Sequence, residues 1–354
     1  MAMTLRERLL TVLRGGAADR IPWNVYSWIL PDTEAARRLR QKGLGLMGHQ
    51  YLFRATYDGV TVTEQRKEID GRPHFLVRIE TPLGVLTEEA TLEPNYGSRW
   101  IQKYFISGPE DYPAAEFLFR HTRYEPDFEA WRQADKAMAD GGIVIGTIRP
   151  IPIMYLMVAW MGVEGLAEGV HWHTDQFEAL LEPLNQNHDR LLQLAADSPA
   201  EIIWFDDNVT ATIISPRLFE RYCAPVYDRA MPVMRGAGKT PIAHYDGSIR
   251  PLLQHLARTD LPVIEAFTPP PMGDLTVAEA KAAWPDKTIW VNFPGSLFVE
   301  PAEVIETYTL DLLEQAAPGG RLVLGCTEDF PASEFEKTFT VIGQALAKYE
   351  GYDW

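Results

Sequence analysis

A (β/α)8 barrel is the fold that the amino-acid sequence predicts, on three observations. Short apolar runs each close in polar or glycine residues, a helical stretch of about 12 to 20 residues lies between successive runs, and no Gly-x-Gly-x-x-Gly loop follows any of them. Such alternation builds a parallel sheet with right-handed crossovers. Without a dinucleotide-binding loop, the open doubly wound sheet is the weaker alternative.

The elements follow in order. Residues 4–14 read as an amphipathic helix that Gly15 and Gly16 end, and Ile21 to Trp28 as a first strand. From Gly59 to about Ala90 the pattern changes to short alternating segments rich in Val, Thr and Ile, with turns at Asp70-Gly71 and Leu83-Gly84, which predicts an antiparallel β-hairpin insertion. Buried-type strands come next at 143–148, 201–207, 240–247, 261–268, 287–295 and 321–326. With Ile21 to Trp28 that makes seven, so the eighth is expected near Thr61 or in Leu44 to Leu52. No repeat or low-complexity linker divides the chain, and residues 1–354 are expected to form a single barrel domain carrying the hairpin at about 59–90.

Composition bounds the function. With 46% hydrophobic and 23% charged residues the chain has the balance of a soluble globular protein, and disorder is excluded as its main state. The apolar stretch Ile143 to Val163 is interrupted by Arg149, Pro150 and Pro152, so it does not read as a membrane span. Charges within the first helix exclude a secretory signal, and the expected location is the cytoplasm. A formal charge of −16 repels phosphate backbones, so nucleic acid is not an expected partner. Two cysteines cannot build a disulfide framework and are read as free thiols or metal ligands.

In a barrel of this kind the chemistry sits at the C-terminal ends of the strands. Those ends carry Arg149, then Asp206, Asp207 and Asn208, then His244 and Asp246, then Glu265, Asn292, and finally Cys326, Glu328 and Asp329. His244, Asp246 and Cys326 close two strands, and Cys223 lies on the helix that starts near Ser215-Pro216. Imidazole, thiolate and carboxylate are zinc ligand types, so these four residues are the candidate zinc site, against the plainer reading of packed, hydrogen-bonded side chains. The candidate catalytic carboxylates are Asp206, Glu265 and Glu328, and the candidate substrate contacts are Tyr26, Trp28, Arg149, Asn208, Tyr245 and Asn292. Tryptophans and tyrosines beside the strand ends suit a methoxylated aromatic, and Arg149 an anionic group.

Ala18-Asp19-Arg20-Ile21-Pro22, Thr81-Pro82-Leu83-Gly84, the run Ile214 to Glu220, His244-Tyr245-Asp246-Gly247, and Gly325-Cys326 followed by Pro331 together resemble the uroporphyrinogen decarboxylase superfamily over nearly the whole chain. The resemblance implies a (β/α)8 barrel with its pocket at the strand C-termini. The arginine-rich segment of the true decarboxylases is absent: the region after the first strand reads NVYSWILPDTEAARRLRQKG. Asp206 would stand in for their catalytic aspartate, but a mouth so rich in carboxylates is a poor match for a polycarboxylate substrate.

The other branch comprises cobalamin-dependent methyltransferases, whose zinc pattern resembles His-x-Cys and a late Cys in a Gly-Cys context. His244 and Cys326 match, and Asp246 stands where the middle Cys is expected. In the O-demethylase subset, two Glu and a His correspond to Asn208, Cys223 and His244. An aspartate leaves a harder zinc, which favours taking a methyl group from an ether substrate over activating a thiol. The resemblance thus implies Zn2+, a small methylated donor, and a corrinoid (cobalamin) on a separate protein. Nothing here resembles the cobalamin-binding Asp-x-His-x-x-Gly motif, and His49, which lacks that Asp, is read as a loop residue. A metal-free decarboxylase, a thiol-acceptor methyltransferase and a non-catalytic barrel are the rivals. The oligomeric state stays open, a homodimer among the options.

Overall fold

The computed structural model describes residues 2–92, 99–316 and 320–354. In chain order the strands are β1 (Trp23–Tyr26), β2 (Gly45–Tyr51), β3 (Phe53–Tyr57), β4 (Thr61–Ile69), β5 (Arg72–Thr81), β6 (Gly84–Leu92) and β7 (Arg99–Lys103). There follow β8 (Thr122–Pro126), β9 (Gly142–Ile148), β10 (Ile202–Phe205), β11 (Thr240–His244), β12 (Val263–Phe267), β13 (Thr288–Asn292) and β14 (Leu322–Cys326). The chain divides into two compact units, one of Met1–Leu52, Phe128–Ile148 and Ala195–Trp354, the other of Phe53–Asp127 and Arg149–Leu194.

The first unit is the expected barrel. Its parallel strands close in the order β1-β14-β13-β12-β11-β10-β9-β2. The eighth strand is β2, within Leu44 to Leu52, and not the segment at Thr61. Two glycines and a polar end, GLMGHQY, hide its apolar pattern. Across from it, Gly142 pairs with Leu46, and a Cβ there would lie 1.9 Å from the Leu46 carbonyl oxygen, so only glycine fits.

Side chains alternate between the two faces of each strand. Met47, Ile145, Ile202, Trp204, Ile242, Val263, Trp290 and Val323 fill the inside of the barrel. The helix Leu5–Leu13 starts on a capping box between Thr4 and Glu7 and adds Leu9, Val12 and Leu13 to the same cluster. The Thr288 hydroxyl donates to the Val12 carbonyl at 3.0 Å, fastening that helix to the start of β13. The intervening residues, Phe205, Ala243, Ile264, Val291 and Leu324 among them, face outward and are also buried. Both faces are therefore apolar, as a parallel sheet covered by helices requires.

In the second unit β4, β5, β6 and β7 form an antiparallel sheet, and β3 pairs with β8. The insertion is larger than the expected hairpin by one strand, β7. Its first turn is the expected one: Asp70 (φ 51°) and Gly71 (φ 72°) both adopt the left-handed conformation that a two-residue hairpin turn demands. The helices Tyr112–Arg120 and Gly162–Trp172 belong to this unit, with most of Thr174–Asp197, whose Asn187 side chain donates to the Phe119 carbonyl at 2.8 Å. The run Pro152–Trp172 is long and apolar enough to cross a membrane by length and composition. Half of its most apolar window is buried inside the protein, as in a core helix, and Gly162 (φ 66°) interrupts it.

Because Leu13 is 1% exposed and lies against the inner strand residues, Leu13→Ala should destabilise the barrel by about 3 kcal/mol, the usual cost of such a cavity. Urea unfolding of the two proteins measures it. A change under about 0.5 kcal/mol, the range of surface substitutions, would show that this helix does not carry the barrel's floor.

Candidate active site

The inward positions that continue the core layer upward are polar. On β1, β10, β11 and β12 they are Tyr26, Trp204 and Asp206, His244, and Glu265, and they meet around one carboxylate. Glu265 is wholly buried. Its Oε1 accepts from the Tyr26 hydroxyl at 2.6 Å, and its Oε2 accepts from Trp204 Nε1 at 3.1 Å and lies 2.8 Å from His244 Nδ1. A carboxylate only accepts, so Nδ1 carries a proton and Nε2 is left for a substrate.

Burial pulls the His244 imidazole down, but the Glu265 carboxylate outweighs it, and with Asp246 and Asp206 raises the group to about 9. At neutral pH this histidine is a cation held by a buried anion. Burial, opposed by His244 and reinforced by Glu265, raises Asp206. Glu328 is raised by burial and by Asp246, with His244 opposing. Two carboxyl groups beside the imidazolium thus keep protons to higher pH than ordinary acids. The backbone departs from regular form just after these groups: β12 bulges between Ile264 and Phe267 with Ala266 at φ 58°, and Asn208 has φ 56°.

A row of rings borders the cluster. Tyr26 stacks on Trp28 at 4.3 Å, Trp28 meets His49 edge-on at 4.7 Å, and His49 meets Trp204 at 5.6 Å. His49 is not in a loop but on β2, two residues beyond the inward Met47, with Nδ1 3.2 Å from the Thr147 hydroxyl. The glycines of GLMGHQY hide this strand in the sequence, and His49 with it. Trp28 is 48% exposed, so its ring is open to a ligand.

Other expected site residues lie outside this cluster, Asn292 keeping the inward phase at the end of β13. Tyr245 faces outward: its hydroxyl donates to Tyr227 Oη at 2.8 Å, and Tyr227, on the helix Ala224–Gly236, donates to Asp207 at 2.5 Å. Asn292 joins strand ends, accepting from the Thr327 amide at 3.0 Å and donating to the Thr268 hydroxyl at 3.2 Å. Asn208 is exposed. Arg149 belongs to the second unit, where its guanidinium lies over the rings of Tyr155 at 4.8 Å and Phe53 at 5.4 Å.

The four expected zinc ligands do not converge. His244 points into the barrel with Asp246 near it, whereas Cys326 alternates with the inward Val323 and Gly325 and faces the helices. The Cys326 thiol donates to the Glu328 carbonyl at 3.7 Å, and burial pushes it up. Cys223 is buried beside Asp207 and Tyr245, on the outer side, and burial raises it as well. Among the described residues no three His, Cys, Asp or Glu side chains form a group able to hold a metal ion. The donors present do not fit zinc in this arrangement, and no step below is routed through one.

Residues 100–333 match the family model of uroporphyrinogen decarboxylase (URO-D). The chain belongs to that family. A methyltransferase from Methanosarcina mazei has a similar structure, with a TM-score of 0.58 at 13% identity over 98% of this chain and 99% of that one. A B12-independent methionine synthase from Shewanella sp. W3-18-1 shows a weaker structural likeness, with a TM-score of 0.47 at 12% identity over 89% of this chain and 86% of that one. At 13% identity the likeness to the first of these describes the fold alone. No curated protein matches the chain in sequence.

The His244–Glu265 pair has a defined pH signature. His244 sits at about 9 in the folded protein against an ordinary 6.5, so its stabilising contribution is complete below pH 6.5 and lost as pH rises through 9. Urea midpoints of the wild type should fall over that interval. Glu265→Gln should flatten that fall and bring the His244 titration, followed by NMR, below 9. An unchanged titration in the variant would show that Glu265 does not set the charge of His244.

Proposed function

We propose that this chain is a methyltransferase that takes the methyl group of a small O-methylated aromatic compound and passes it to a corrinoid carried by a separate protein. The observation that carries the reading is the buried Glu265–His244 pair beside the row Tyr26, Trp28, His49 and Trp204. A methoxyarene would lie against the rings, with its ether oxygen toward His244 Nε2. When the methyl–oxygen bond breaks, the bonding electrons stay on oxygen, which takes the Nε2 proton and leaves as a phenol. Glu265 holds the ring in place and stabilises it in the charged form that donates. Asp206 and Glu328 are suited to return the proton. The corrinoid, when its carrier docks, supplies the nucleophile that accepts the methyl group.

The mouth's charge argues against decarboxylation of a polycarboxylate. The inward residues closing the eight strands include Tyr26, His49, Thr147, Asp206, His244, Glu265, Asn292 and Thr327, and Arg149, in phase with Thr147 just past β9, has its guanidinium over the rings of Tyr155 and Phe53. Carboxylates of such a substrate would find few cations to pair with, the His244 imidazolium being already committed to Glu265.

Purified protein mixed with cob(I)alamin and a panel of methoxybenzenes should consume the cob(I)alamin absorbance and release the matching phenol. His244→Gln should lower kcat on the order of 100-fold or more, and Trp28→Leu should raise KM. Carbon dioxide release from a carboxylated substrate, with no methyl transfer, would replace this reading by decarboxylation.

A further inference from the structure

At the end of the barrel opposite the mouth, the N-terminal ends of the strands border a cavity of about 210 Å3. The starts of β11, β12, β13 and β14 wall it, with the turn after the helix Leu5–Leu13 and with the helix Ala224–Gly236, all within the first unit. Leu13, Met231, Pro241 and Pro262 give it an apolar lining. Its charged side chains are Arg14, Arg235, Lys239 and Arg321 with one acid, Asp260, in a chain whose formal charge is −16. Arg235 is paired with Asp260 at 2.5 Å, and Arg14 with Glu201. Lys239 and Arg321 instead donate to the main-chain carbonyls of Ser198 and Asp286, both at 2.5 Å. A carbonyl occupies a donor without cancelling its charge. Burial lowers the Lys239 ammonium although Asp197 opposes it, and burial with the charge of Arg321 lowers Lys281. The Arg321 guanidinium is also fitted to its place: Nη1 lies 2.7 Å from where a Cβ on Gly15 would stand, in room that the glycine leaves.

We propose that this cavity binds a small organic dianion whose two carboxylates stand at opposite ends of an apolar chain, one on Lys239 and the other on Arg321. The carbonyls that hold the two cations fix the separation. Ser198 lies ahead of β10 and Asp286 ahead of β13, three places apart in the barrel order. At the usual spacing of neighbouring strands that is about 14 Å around the wall, too far for one anionic group to span. Each end offers one cation without an acid partner, which matches the single charge of a carboxylate better than the double charge of a phosphate ester. Between the ends, Leu13, Met231, Pro241 and Pro262 suit methylene groups. The site lies at the far end of the strands from His244 and Glu265, so it is separate from the chemistry of the mouth.

Isothermal titration calorimetry of the full chain at low salt tests this with three probes: suberate, the shorter dianion succinate, and octanoate, which has one charge on a chain of the same length. Suberate should bind, and the other two should bind at least about tenfold more weakly, since each forfeits one charge-assisted contact. Lys239→Gln and Arg321→Gln keep a donor for the carbonyl but lose the charge, and each should weaken suberate about tenfold, with circular dichroism confirming the fold. Arg321→Lys keeps the charge and should bind suberate within a few-fold of the wild type. His244→Gln should bind it unchanged. A wild type that ignores suberate, octanoate or succinate binding as tightly, glutamine variants that bind like the wild type, or loss of binding in Arg321→Lys or His244→Gln would each overturn the proposal.

Discussion

A carboxylate removed from water costs several kcal/mol unless the protein replaces what water gave it, and the barrel's upper layer is organised by that requirement at Glu265. Three donors meet it: the Tyr26 hydroxyl, the Trp204 indole and the His244 imidazole. They come from β1, β10 and β11, so the compensation of one charge on β12 also ties four strands together at their functional ends. The same contacts fix which histidine nitrogen carries the inner proton. A bulge at Ala266 directly after Glu265 re-aims the strand beyond the carboxylate, strain tolerated where the surrounding hydrogen bonds over-determine the position.

Alternation along the strands then sorts the polar residues into two separate layers. Ile202, Trp204 and Asp206 follow one another into the barrel, whereas Ile203, Phe205 and Asp207 follow one another toward the helices. On β11, His244 goes inward and Tyr245 outward. The outer set has its own hydrogen-bonded chain, Tyr245 to Tyr227 to Asp207, with the Cys223 thiol beside it. Adjacent residues in sequence thus serve different environments: inward ones face the mouth, and their neighbours hold the helix Ala224–Gly236 to the wall.

This sorting explains what the sequence reveals and what it conceals. The six barrel strands that follow the insertion, β9 to β14, are largely apolar runs, because a parallel strand is buried on both faces, and such runs are easily read. The hairpin was equally plain from Asp70-Gly71, whose backbone demands those residue types. In β2 the glycines needed for close strand approach dilute the apolar signal, so the sequence alone does not show His49 as a strand residue. The candidate zinc set fails for another reason. Cys326 and His244 both end strands, but a strand end does not say which face a side chain takes. Counting in twos from Val323 and Ile242 would have separated them.

The charge of the mouth bears on which reactions the barrel can support. Binding a polyanion needs several fixed cations, and at the described strand ends the imidazolium is already committed to Glu265 while the Arg149 guanidinium lies over the rings of Tyr155 and Phe53. Transferring a methyl group from an ether makes a smaller demand, since the charge that develops is on a single oxygen and one proton neutralises it. A histidine kept cationic by a buried carboxylate meets that demand without a second positive group. It also explains why carboxyl groups are tolerated around it: Asp206 and Glu328, held toward their neutral forms by burial, add proton capacity without adding full negative charge. Acid-rich composition at this mouth is therefore compatible with a proton-donating site, and it disfavours substrates whose recognition rests on their own carboxylates.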